Sequence, residues 1–112
     1  MTMVTKEQFI NGVQRYIDEE LISKISGLSK WFIAIGFGAY LPQINNMIDN
    51  NQKMLIDAGY MHEDGMINID KLYNDLINVA RAKGSVVQYI PLVGDVTFTE
   101  TDITSLYHHI CK

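Results

Sequence analysis

The sequence predicts one α+β domain, residues 1–112, of about five helices with a small, mostly antiparallel sheet of three strands and an apolar second helix at its centre. Three observations lead there. Apolar residues recur at helical spacing in several separate segments. Two β-rich stretches, Val86 to Ile90 and Val96 to Phe98, flank a glycine-containing turn. The composition, 47% hydrophobic and 20% charged over 112 residues, is that of an ordinary globular chain large enough to bury a core.

The elements follow in order. Thr5-Lys6-Glu7-Gln8 is a capping-box pattern: the Thr5 hydroxyl can accept from an orphan amide, and Gln8 can reach back to the Thr5 amide. Phe9, Ile10, Val13, Tyr16, Ile17 and Leu21 then form one apolar stripe, so the first helix should end near 22–24. Asp18, Glu19 and Glu20 fall on and around its solvent face. Ser26-Gly27-Leu28-Ser29 is a break, and a second helix should start near Ser29. Its run from Trp31 to Leu41 is apolar on every side, and such a helix must be covered on every side. Gly36 and Gly38 each cost a helix roughly 1 kcal/mol relative to alanine. Close approach of another backbone is the usual compensation. Pro42 lacks an amide donor and crowds the Gly38 carbonyl, so a kink or break is expected there.

A short third helix is expected over 53–58, stopped by Gly59. Asp64-Gly65 signals a turn and 66–69 a short strand. Asp70 can cap a fourth helix that turns Leu72, Tyr73, Leu76, Ile77 and Ala80 inward. Arg81 and Lys83 suit its C-terminal dipole, and Gly84 suits the residue after the cap. Gly94-Asp95 fits a two-residue hairpin turn between the strands. Pro91 should face a sheet edge or a bulge. Thr99-Glu100-Thr101-Asp102 is a second capping box, before a last helix carrying Ile103, Leu106, Tyr107 and Ile110.

Charge and motifs exclude more than they assign. The formal net charge is −4, and the nine lysines and arginines are scattered, so no nucleic-acid partner is expected. The longest apolar run, eleven residues, is about half of what a membrane span needs, so integral membrane insertion is not expected. The first residues carry no charged-then-apolar leader, and the single cysteine, Cys111, cannot form an internal disulfide. Both suit a cytoplasmic setting. The segment from His62 to Asp70 has a calcium-loop flavour, but with Gly65 at position six, Tyr60, His62 and Lys71 would hold positions one, three and twelve. The bidentate glutamate is missing. His108, His109 and Cys111 offer too few ligands for a metal, and a polar, frayed terminus explains them. Gly36-Phe37-Gly38 begins a dinucleotide pattern, but Leu41 replaces its third glycine. No nucleophile, P-loop or cofactor signature occurs, so no catalytic residue, cofactor or metal is assigned.

Three segments taken together resemble small prophage-encoded proteins of Gram-positive bacteria. They are Phe9-Ile10-Asn11-Gly12-Val13 with Tyr16-Ile17-Asp18 and Glu20-Leu21-Ile22; Lys30-Trp31 entering the apolar run; and Ile90-Pro91 with Gly94-Asp95-Val96-Thr97-Phe98, Asp102-Ile103 and Leu106-Tyr107. The resemblance implies a phage-related setting inside a bacterial host cell, in virion assembly or an accessory role. It brings no activity and no site residues with it.

The reading that follows is a non-enzymatic interaction or assembly protein, bound to a protein partner or to itself through the second helix. Trp31, Phe32, Phe37 and Tyr40 are the candidate interface residues. One alternative is a small-molecule binder or enzyme whose site follows no motif, with Tyr60, His62, Tyr73 and Tyr89 as its first polar groups. The other is a peripheral membrane protein.

Overall fold

The computed structural model describes residues 2–24 and 30–112, and of residues 30–34 the backbone alone. It is α+β, with five helices and two separate two-stranded sheets among the described residues.

Helix α1 spans Lys6–Tyr16, then passes through a π-helical turn, Ile17–Leu21, and a short α-helical turn, Ile22–Lys24. Its start is the expected capping box. Gln8 N donates to Thr5 Oγ1 at 3.0 Å, and Thr5 N donates to Gln8 Oε1 at 2.8 Å. The amide of Ile22 reaches back five residues to the Ile17 carbonyl, which defines the wider π turn. Tyr16, Ile17 and Leu21 are all buried there.

The last helix, α5, spans Glu100–Cys111 and starts on the second expected box, Thr99 with Asp102. It forms the most extensive helix pair with α1. The two backbones meet at Gly12, where an added Cβ would lie 2.4 Å from the Ile110 Cα. This pair is the centre of the fold.

Helix α2, Lys30–Asn50, continues through Pro42 with no interruption of its helical assignment. The break expected there does not occur. A proline ring inside a helix crowds the carbonyl four residues earlier, and that residue is Gly38, whose surroundings are open. Nor is α2 the central element. Gly36, Phe37 and Ile48 are buried, but Ile35, Gly38, Ala39 and Met47 are exposed, so the described part of α2 is covered on one side only. Of the two glycines, Gly36 does meet another backbone: its added Cβ would lie 2.2 Å from the Pro91 carbonyl oxygen.

Helix α3, Gln52–Asp57, is followed by Gly59 at φ 86°. Helix α4, Ile69–Lys83, ends on Gly84 at φ 87°. Its N-cap is Asn68, whose side chain accepts from Lys71 N, and not Asp70. Asp70 instead accepts from Thr2 N at 2.6 Å and from Tyr107 Oη at 2.7 Å, tying the N-terminal strand to α5.

The expected three-stranded sheet is two ladders. Strand β1, Met3–Val4, pairs antiparallel with β2, Ile67–Asn68. Strand β3, Val86–Ile90, pairs antiparallel with β4, Gly94–Phe98. A two-residue strand such as β1 has no periodicity to read, so its claim on β2 was invisible in the sequence. The hairpin register also differs from expectation. Ile90 faces Gly94, so the connection is Pro91-Leu92-Val93, and Gly94-Asp95 opens β4. Val93 N bonds Ile90 O at 3.1 Å across a turn with Pro91 first and Leu92, at φ 67°, second. That is the type II pattern, with leucine where glycine is usual.

Candidate functional site

An apolar groove runs between α2 on one side and α1, α4 and the hairpin on the other. Its inner section, about 210 Å³, is bounded by Val13, Tyr16, Phe37, Ile90 and Phe98. Its outer section, about 390 Å³, is bounded by Met47, Leu55, Tyr60, Met61 and Leu72. Phe9, Tyr40, Ile44, Leu76 and Gln88 border both, so the sections meet there. The groove exists because α2 rests on the hairpin turn at Gly36 and on α1 and α3. The α4 side chains Leu72 and Leu76 reach across to it without filling the space between.

The candidate interface residues divide. Phe37 is 3% exposed and belongs to this chain's core, packed with Tyr16, Ile17, Leu21, Ile90 and Val96. Tyr40 is half-buried and lines both sections of the groove; burial raises its phenol above the ordinary tyrosine range. The side chains of Trp31 and Phe32 lie outside the described residues.

Of the polar residues singled out, Tyr60 stands at the outer end of the groove. Its hydroxyl donates to Asp75 Oδ2 at 2.5 Å, and Lys71 Nζ sits 5.0 Å from its ring centre. The bond to Asp75 raises the Tyr60 phenol, and the same bond holds the Asp75 carboxyl below its usual range. Tyr73 shares a hydrogen bond with Thr104 at 3.0 Å and stacks on Tyr107 at 4.5 Å. His62 and Tyr89 are exposed. The groove brings Tyr40 and Tyr60 together and leaves His62 and Tyr89 apart from them.

A second cluster was missed. His109, read as part of a frayed terminus, is 8% exposed and fully engaged. Its Nε2 meets Glu19 Oε2 at 2.8 Å, and its Nδ1 meets the Ser105 carbonyl at 2.9 Å and Glu20 Oε2 at 3.4 Å. Arg15 donates to the His109 carbonyl at 2.6 Å, and the Tyr16 ring meets the imidazole edge-on at 5.7 Å. So Glu19 and Glu20 both reach α5, although Glu19, like Asp18, stays exposed as expected; Asp18 is bonded to Gln14. Serine, histidine and glutamate side by side suggest a nucleophile with its base. The geometry does not build one: the Ser105 hydroxyl donates to Glu20, and the imidazole meets the serine's backbone carbonyl. The cluster is a clasp holding the π turn of α1 against α5. The signal that could have found it is the i, i+4 spacing of Ser105 and His109 on one face of α5.

Among the described residues no group of His, Cys, Asp and Glu is placed to hold a metal, and no helix is long and apolar enough to cross a membrane. Comparison with models of known protein families, with curated proteins and with solved structures gives no match.

Proposed function

We propose that this chain is a non-enzymatic interaction protein that associates with a second copy of itself along α2. The observation that carries the reading is the one-sided cover of that helix. Ile35 and Met47 are 39% and 55% exposed on the same helix that walls the groove, and Met54 on α3 is 60% exposed beside it. A surface that bears both apolar projections and an apolar groove is self-complementary, which is what a two-fold interface between identical chains requires. The resemblance to prophage-encoded proteins gives the setting: an assembly or accessory role inside a bacterial host.

Light scattering over a wide concentration range tests this. Association is expected, and Met47→Glu should abolish it while the circular dichroism spectrum is kept. A strict monomer at every concentration overturns the reading. Co-sedimentation with liposomes, lost on Met47→Glu, would also overturn it, in favour of a membrane surface as the partner.

A further inference from the structure

We infer that the inner section of the groove is a binding site for a small aromatic molecule carrying one polar group. This does not rest on self-association, because none of the exposed Ile35, Met47 and Met54 lines the inner section. Three observations carry it. The first is size. A cavity of about 210 Å³ exceeds the roughly 150 Å³ apolar cavity that holds benzene, so it takes a substituted benzene or a bicyclic ring. The second is the wall. Phe9, Tyr16, Phe37, Tyr40 and Phe98 all border it, and rings around a ring gain offset and edge-on contacts beyond simple burial. An aliphatic chain would gain only the burial. The third is the mouth. Tyr40 and Gln88 are the polar side chains at the junction of the two sections. A hydroxyl or ring N–H on the guest would find its partner there; the other polar side chain on the lining is Tyr16, whose hydroxyl is buried without a partner among the described residues, and the remaining lining is apolar.

The remaining hollows carry less. A shallow surface basin bordered by Glu100, Thr104 and His108 has no buried polar group to orient a guest. The Glu19–His109–Glu20 cluster is closed on itself, as described above.

Isothermal titration with indole, with indene as its isostere lacking the N–H, tests the site. Both should bind, indole more tightly. Tyr40→Phe should weaken indole roughly tenfold and leave indene nearly unchanged, because only indole loses a hydrogen bond. Val13→Phe fills the inner section from α1 and should abolish binding of both. Leu106→Phe fills it from α5 and serves the same purpose if Val13→Phe fails to fold. Absence of heat with either guest on the wild-type chain overturns the inference. So does binding that survives in a folded filling variant, since the guest would then sit elsewhere. Light scattering on the same samples reports the association state separately, so a failed titration and a failed dimer are distinguishable.

Discussion

A Cβ built on Gly36 would lie 2.2 Å from the carbonyl oxygen of Pro91 and 3.0 Å from Val93 Cγ2. The hairpin turn therefore rests directly on the α2 backbone, and only glycine permits it. Gly38, two residues on, has nothing within 4 Å of the same construction. The two glycines should thus respond to alanine with opposite signs. Gly36→Ala is expected to cost about 1–3 kcal/mol, because the turn must lift off the helix or the helix must move. Gly38→Ala should gain up to about 1 kcal/mol from helix propensity alone. Urea unfolding of both variants checks this, and equal effects would remove the argument for a close approach at Gly36.

The same turn stores strain. Leu92 sits at φ 67° with its side chain 59% exposed, so it takes an unfavourable backbone conformation with little packing in return. A leucine there is held by the hairpin register and by the seat on α2. Leu92→Gly should stabilise the fold by about 0.5 kcal/mol, the released left-handed strain less the extra chain entropy of glycine. Leu92→Val should destabilise it, since a β-branched residue tolerates positive φ least. Melting temperatures of the pair should move in opposite directions.

How far the fold was legible follows from these residues. Thr5 with Gln8, and Thr99 with Asp102, were readable because a cap is a local bond between near neighbours. The end of α4 at Gly84 and the location of β3 came through for the same reason, whereas the N-cap of α4 is Asn68 and not the expected Asp70. Leu92 was not readable: the chemistry of Gly94-Asp95 fits a hairpin turn, and only the Gly36 seat and the Ile90–Gly94 pairing shift the turn three residues earlier. Pairing of β1 with β2, and of Glu19 with His109, joins residues more than sixty positions apart and leaves no local trace. The groove was not legible: the apolar excess of α2 called for cover on every side, and which side is covered depends on where the hairpin lands.

Tyr16 offers a test of burial. Its side chain is 1% exposed, and its hydroxyl finds no hydrogen-bond partner among the described residues. Tyr16→Phe removes that unmet group at little loss of volume and should stabilise the protein by about 1 kcal/mol. Burial, then the nearby Asp102 and Glu20 carboxylates, hold the phenol well above the ordinary range. A group raised on folding contributes stability that is full below its unfolded value, about 10 for tyrosine, and declines as pH rises beyond it. The wild type should therefore lose stability above about pH 10, and Tyr16→Phe should lose less over the same interval. An identical alkaline decline in both proteins would assign the effect to other groups.

Asp70 gives the acid counterpart. The Thr2 backbone amide, and then the Tyr107 hydroxyl, hold its carboxyl below the usual range. A group lowered on folding contributes stability above its unfolded value, about 3.9, that is lost as pH falls through the folded one. Stability should fall below about pH 4, and Asp70→Asn should be weaker at neutral pH with a flatter acid limb. Hydrogen exchange at the β1–β2 ladder should quicken in the same variant, because Asp70 anchors Thr2 beside it. Unchanged exchange there would show that the anchor does not hold the strand.

Glu19 and His109 should be energetically coupled although ninety positions separate them. The imidazole is buried, and each of its nitrogens meets an oxygen, the Glu19 carboxylate at 2.8 Å and the Ser105 carbonyl at 2.9 Å. His109→Ala leaves a hole beside Tyr16 and removes the imidazole's contacts with Glu19 and the Ser105 carbonyl, so a loss of about 2 kcal/mol is expected. Glu19 is 56% exposed, so its share of the pair is screened by water, and the coupling in a double-mutant cycle with Glu19→Ala should be near 1 kcal/mol. Additivity of the two substitutions would mean that the Glu19–His109 contact adds nothing to the Ser105–Glu20 bond and the Gly12–Ile110 packing that also join α1 to α5.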